Sequence, residues 1–264
     1  MTHLSDGGGP RFGRLSATVA RMLELKRSGS TTPAVVETRT GAPFLLKFSA
    51  AGQGVRGLLT EFLATRIAGV LGCRVPPVRP LWLPADFPWQ IGTDEFDDMV
   101  RRSAGWNLGV SMIAGARHLE HAELFRLPAA FVQPLVVADR LLQNMDRGER
   151  NPNVLTDATG ELWAIDFGAC LFLERILRRA AAGTTPFSFA LAGDHFARVV
   201  KPPPPLAADV VAQRMPDAEA IGGWLGPLPE EWFAGVALSR AELVAAVAAY
   251  LQEGLAVLRA EGRA

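Results

Sequence analysis

The sequence predicts an α+β fold in two lobes, a small antiparallel sheet carrying one helix and then a mostly helical half. Three observations predict it. Residues 19–83 alternate short β-rich runs with a single long helical pattern. Gly/Pro clusters at 27–33, 50–54 and 76–77 cut these runs apart. After His118 helical spacing dominates, interrupted by one short hairpin.

The elements follow in order. Residues 1–13 are Gly-rich and polar and read as a loose tail. Val19 to Lys26 fits either a strand or a helix. Ala34 to Thr38 and Phe44 to Phe48 read as a hairpin around Arg39-Thr-Gly-Ala42. Val55 to Leu71 carries Leu58, Leu59, Phe62, Ile67, Val70 and Leu71 at helical spacing, closed by Gly72 and barred from continuing by Pro76-Pro77. Val78 to Leu83 is a strand. Residues 84–104 read as irregular, with an acidic helical turn near Asp94 to Asp98. The run Leu108 to Ile113 ends in a hinge at Ala114-Gly115, which separates a lobe over 14–113 from one over 114–264. Pro128 to Leu142 is an amphipathic helix. Val154-Leu155 and Leu162 to Ile165 flank the turn Thr156-Asp-Ala-Thr-Gly160. Lys201-Pro-Pro-Pro-Pro205 reads as a rigid connector. Ser239-Arg-Ala-Glu242 is a capping box for a final helix striped by Leu243, Val247, Leu251, Leu255 and Leu258.

Composition narrows the function. The 264 residues hold 27 basic and 27 acidic side chains, so a general nucleic-acid or membrane-surface binder, which needs a basic excess, is not expected. Cys73 and Cys170 stand outside any zinc-like cluster, and two scattered cysteines fit a reducing cytoplasm. No signal-peptide pattern opens the sequence, and no uninterrupted apolar run reaches the ~18 residues of a membrane span. The four histidines form no recognisable catalytic or metal pattern, and His118 and His121 read as surface-helix residues. The tryptophans read as core or lobe-contact residues.

The informative stretch is Asp139-Arg-Leu-Leu-Gln-Asn-Met-Asp-Arg-Gly-Glu-Arg-Asn-Pro-Asn153, followed by the hairpin and Ile165-Asp-Phe-Gly168. Asp146 and Asn151 stand five apart. Loops that catalyse phosphoryl transfer place an Asp and an Asn at that separation, ahead of a later Asp-Phe-Gly. The Asp orients or accepts the proton of the attacking hydroxyl. The Asn offers a neutral oxygen, and Asp166 a charged one, to a magnesium ion. Asp139 and Asn144 share the spacing, but Asp139 falls within the amphipathic helix and reads as an exposed or capping carboxylate. Upstream, Lys47 lies in the apolar strand Phe44-Leu-Leu-Lys-Phe48, where a lone charge is costly. Glu61 is the one acid on the next helix. The two are expected to form an ion pair that presents Lys47 to the α- and β-phosphates of ATP. Ser28, Gly29, Ser30 and Thr31 could cap the phosphates through backbone N–H and hydroxyl groups, and an ordinary turn explains the same residues. Ile113 at the hinge completes the nucleotide contacts.

With these residues in place the sequence resembles the HipA-like kinase family, in its short bacterial branch, over roughly residues 19–255. The match rests on Phe44-Leu-Leu-Lys-Phe48 with Gln53-Gly54 and Glu61, on Ala104-Gly-Trp-Asn-Leu-Gly109, on Ile165-Asp-Phe-Gly-Ala169 and, most specifically, on Asn144-Met-Asp-Arg-Gly-Glu-Arg-Asn-Pro-Asn153. The resemblance implies a bilobal protein-kinase-like fold, ATP with magnesium as cofactors, and transfer to a serine or threonine hydroxyl. The extra N-terminal domain and DNA-binding antitoxin module of the full-length toxin kinases are not expected here. The acceptor, a protein or a small molecule, is not encoded in short motifs. Two other readings share the residues: a nucleotide-binding regulatory module without turnover, and a small-molecule phosphotransferase of the antibiotic-kinase type.

Overall fold

The computed structural model describes residues 14–26, 32–88, 94–183, 187–201 and 208–261. A short helix α1 (Arg14–Ala17) leads into strands β1 (Val19–Leu25), β2 (Ala34–Thr38) and β3 (Pro43–Lys47). Helix α2 (Val55–Val70), strand β4 (Val78–Leu83), helix α3 (Asp94–Arg102) and strand β5 (Gly105–Ser111) complete the first lobe. The five strands form an antiparallel sheet in the order β1-β2-β3-β5-β4. The run at Val19 is thus a strand. Its antiparallel pairing with β2 settles what its own periodicity left open.

Period-two alternation divides the sheet between two helices. Leu46, Leu81 and Phe44 join Phe96 and Val100 of α3 in one core. Leu108, the register partner of Lys47, faces the other way and packs with Leu58, Leu59 and Phe62 of α2. The segment 94–102 is a nine-residue helix rather than one turn in an irregular stretch. Only Phe96 and Val100 of it are buried, so its apolar signal in the sequence is slight.

Fully buried Asn107 fastens this lobe. Its amide donates to the Ser103 and Gly105 carbonyls, and its Oδ1 accepts from Ser49 N–H at 2.7 Å. That ties the end of α3 and the start of β5 to the turn after β3. Gly54 enters α2 at φ 66°, a conformation that costs a residue with a Cβ but not glycine.

The second lobe begins with β6 (Arg117–His118), α4 (His121–Leu124) and α5 (Ala129–Leu142). Strands β7 (Val154–Thr156) and β8 (Leu162–Ala164) join β6 in a three-stranded antiparallel sheet. His118 therefore lies in a strand, and His121 opens a helix. Helices α6 (Phe172–Ala182), α7 (Ala208–Ala212), α8 (Ala218–Leu225) and α9 (Arg240–Glu261) follow, with 3₁₀ turns at Phe196–Arg198 and Glu230–Phe233.

Helix α9 begins at the capping box, where Ser239 N–H and Oγ–H both donate to Glu242. By length and hydropathy alone it could cross a membrane. In the fold its stripe of Leu243, Val247, Leu251, Leu255 and Leu258 is buried, and all of these but Leu255 join the core shared with α5 and α6. Helix α2 shares one core with the helical half, and there fully buried Trp232 packs its ring edge-on to Phe62 of α2 and donates its indole N–H to the Trp106 carbonyl. Both cysteines are free and buried. The expected tail at 1–13 and the proline connector at 202–205 lie outside the described residues.

Candidate active site

Strand β3 and helix α2 bring the first charges together. Lys47 Nζ donates to Glu61 Oε1 at 2.5 Å and to Asp166 Oδ1 at 2.9 Å. Lys47 and Glu61 are 8% and 4% exposed, so water screens this pair little. Burial works against the Lys47 ammonium, but the Glu61 and Asp166 carboxylates outweigh it and hold its pKa well above the ordinary value. Burial pushes the Glu61 carboxyl up to about 6, against the pull of Lys47 and with a push from Asp166. For Asp166 burial is outweighed by Lys47, which holds the carboxyl below its usual range. Asp166 sits at φ 56°, a left-handed conformation that turns the chain sharply after β8. The following Gly168 lies against Glu61, where an added Cβ would stand 3.1 Å from Oε2.

The loop after α5 brings the second group together. Asn151 Nδ2 donates to Asp146 Oδ2 at 3.1 Å, and both side chains are exposed. Asn153 Nδ2 donates to the Asp146 carbonyl, and Ile165 N–H donates to the Asn153 carbonyl. Beneath the loop lies Arg147, fully buried. It donates to the carbonyls of Pro152, Asn153 and Ile165, and its guanidinium stands 4.7 Å from the Phe167 ring centroid. One cation thus joins the strand leaving Asn151 to the strand end carrying Asp166.

Asp139 requires a correction. The sequence reading placed it as an exposed or capping carboxylate, yet it is 1% exposed. Its Oδ2 lies 2.8 Å from Arg147 Nε, and its Oδ1 accepts from Asn144 Nδ2 at 3.0 Å. Burial would raise its pKa, but Arg147 and its hydrogen bonds hold it below the ordinary value. Asn144 in turn accepts the Asp146 N–H at 3.1 Å. Asp139, Asn144, Arg147 and Asn153 are therefore supports of the loop that sequence reasoning did not select. Their shared signal was the spacing of Asp139 and Asn144, which mimics that of Asp146 and Asn151.

Ile113 is half-buried at the end of the β5 segment and lines a cavity of about 450 Å³ with Pro77, Ser111, Ala158, Thr159 and Trp163. None of Lys47, Glu61, Asp146, Asn151 or Asp166 lines that cavity. The hairpin wall is set by Asp157, whose carboxylate accepts from Thr159 N–H, Glu161 N–H and the Trp163 indole. Ser28, Gly29, Ser30 and Thr31 lie outside the described residues.

The donor chemistry fits a hard divalent cation. Asp166 keeps a carboxylate oxygen beyond the one facing Lys47. The Asn151 amide nitrogen is turned to Asp146, which leaves its carbonyl oxygen available. Among the described residues no three Asp, Glu, His or Cys side chains form an all-protein metal cage. A magnesium ion held by one or two protein oxygens and completed by phosphates is compatible with this set.

The model of the HipA-like kinase family matches residues 19–178, more than half of the chain. The comparison with curated proteins found no match. Among solved structures, the Helicobacter pylori proinflammatory kinase CtkA superposes with a TM-score of 0.58 at 14% identity, covering 93% of this chain and 96% of its own. That likeness shows a shared kinase fold. An aminoglycoside phosphotransferase from Alicyclobacillus acidocaldarius (13% identity, 98% of each chain, TM-score 0.27) also aligns. A Leishmania major MAP kinase does so as well (11% identity, 90% and 81%, TM-score 0.31).

Proposed function

The chain belongs to the HipA-like kinase family, and from that premise we propose that it is an ATP- and magnesium-dependent phosphotransferase whose acceptor is a serine or threonine hydroxyl of a protein. The observation that carries this reading is Lys47 held between Glu61 and Asp166. A buried lysine fixed by two carboxylates is poised for phosphate oxygens, which compete well for an ammonium donor.

Each residue then has a role. Lys47 binds the α- and β-phosphates, and Glu61 keeps it aimed. Asp166 and Asn151 hold magnesium, which when bound neutralises charge on the β- and γ-phosphates. Asp146 orients the acceptor hydroxyl and takes its proton as the new O–P bond forms and the bond from the γ-phosphorus to the β-phosphate oxygen breaks, releasing ADP. Ile113 lies beside the base. Residues 14–113 act as the nucleotide lobe and 114–264 as the acceptor lobe. ATP supply places the protein in the cytoplasm.

The test is incubation with γ-labelled ATP and magnesium, alone and with a bacterial lysate. Label should move to the protein itself or to a lysate protein, and chelation of magnesium should stop it. Tight ATP binding without transfer or hydrolysis would favour a regulatory nucleotide-binding module.

A further inference from the structure

We propose that His195, beyond the segment matched by the family model, is a positioning residue for phosphoryl transfer: acting through Asp139, it fixes the loop that carries Asp146. This rests on the phosphotransferase reading above.

His195 lies 56 residues beyond Asp139 and is 1% exposed. Its Nε2 stands 2.9 Å from Asp139 Oδ2, the oxygen that also faces Arg147 Nε. The tautomer follows from the other ring nitrogen. Ala197 N–H points at Nδ1 at 3.1 Å, so Nδ1 accepts and the ring proton sits on Nε2, directed at the carboxylate. Phe196 stacks on the imidazole at a centroid distance of 4.8 Å and limits its rotation.

The backbone makes a second attachment. Phe196 N–H donates to the Arg147 carbonyl at 3.2 Å, and Glu149 N–H donates to the Asp194 carbonyl at 3.1 Å. These bonds form an antiparallel bridge between Gly148 and His195. Gly148 passes close to Asp194, whose Oδ2 would stand 2.8 Å from an added Cβ and would have to swing aside. The segment 194–196 therefore clasps the loop just after Asp146.

The consequence runs along a buried chain. His195 and Arg147 hold Oδ2 of Asp139, Asn144 holds Oδ1, and Asn144 Oδ1 receives the Asp146 N–H. A buried carboxylate is tolerable only when its lone pairs are satisfied. Removing the imidazole N–H leaves Asp139 one donor short, and Asn144 and Arg147 must shift to compensate. Lys47 and Glu61 make no contact with this chain, and Asp166 meets it only through the Ile165 carbonyl that Arg147 holds, so nucleotide binding should be affected far less than transfer.

Two substitutions separate positioning from bulk stability. In His195→Asn the shorter amide can still accept the Ala197 N–H but falls short of Asp139. In His195→Gln an amide N–H reaches the Nε2 position. Transfer from labelled ATP and affinity for ATP with magnesium are measured on both folded variants and the parent. We expect His195→Asn to keep nucleotide affinity within about threefold and to lose transfer by ~10–10²-fold, the scale of a small misplacement of a reacting group. His195→Gln should recover most of that loss. Parent-level transfer by His195→Asn overturns the role. So does an equal loss in both variants that tracks a common fall in thermal stability. A parent without transfer or hydrolysis overturns the phosphotransferase reading and this role with it, whereas an active parent matched by His195→Asn overturns this role alone.

Discussion

Lys47 and Glu61, fourteen residues apart in sequence, meet at 2.5 Å inside the first lobe. The contact exists because β3 turns Lys47 toward the sheet face covered by α2, while Leu46 beside it turns to the core under α3. Placing Lys47 on the α3 face would take a one-residue slip of β3, which would also remove Leu46 and Phe44 from the core under α3. The register that builds the core therefore also sets the ion pair.

Glu61 gives a pH dependence with a definite sign. Its folded pKa, about 6, exceeds the ordinary 4.5. A raised carboxyl pKa means that the native state holds the proton more tightly than the unfolded chain. Its contribution to stability is complete below about 4.5 and is lost as pH rises through about 6. Urea unfolding across this range should show the parent losing stability relative to Glu61→Gln. A constant difference between the two would show that Glu61 does not titrate there. Transfer should move the other way, rising with pH as Glu61 ionises and aims Lys47.

Asp166→Ala should remove the magnesium-dependent part of ATP affinity, since it deletes the one charged oxygen assigned to the cation. Titration calorimetry with and without magnesium is the readout. Parent-like affinity in the variant would remove Asp166 from the site.

Arg147→Met leaves Asp139 buried without its cation and should destabilise the fold by ~3–5 kcal/mol. Combining it with Asp139→Leu removes both charges, so the double variant should lose less than the sum of the singles. Denaturant unfolding of the four proteins gives the coupling. Strict additivity would mean that the 2.8 Å contact contributes little.

Trp232→Ala opens a cavity between α2 and the second lobe and deletes the bond to the Trp106 carbonyl. A loss of ~3–5 kcal/mol is expected, read as a lowered thermal midpoint. A change under 1 kcal/mol, about the lower limit for losing any buried group of this size, would show that Trp232 is not a joint between lobes.

Much of this was legible in the sequence because it rests on local pattern. The β–β–β–α–β order follows from runs and breakers. Lys47 and Glu61 stand out as charges in apolar elements. Asp146, Asn151 and Asp166 are marked by spacing and by the hairpin between them. What was not legible depends on distant partners. Asp139 has the look of an exposed carboxylate until Arg147 and His195 arrive to neutralise and bond it, the latter from 56 residues away. Strand β6 has only two residues, too few for a period, and exists because Val154–Thr156 offers it an edge. Helix α3 buries two side chains among acidic neighbours, so its apolar content is too low to mark it as a long helix.

The central claim is that Asp146 serves the acceptor hydroxyl while Lys47, Asn151 and Asp166 serve the nucleotide. The most direct measurement compares parent and Asp146→Asn for ATP–magnesium affinity and for turnover, scored as label transfer or slow ATP hydrolysis. Asparagine keeps the shape and the contact with Asn151 but cannot take the proton. Asp146→Asn should keep affinity close to the parent and lower turnover by ~10²–10⁴, the range for loss of a general base, toward its lower end because positioning and electrostatics carry much of phosphoryl transfer. An active parent whose Asp146→Asn variant turns over at the same rate would contradict it.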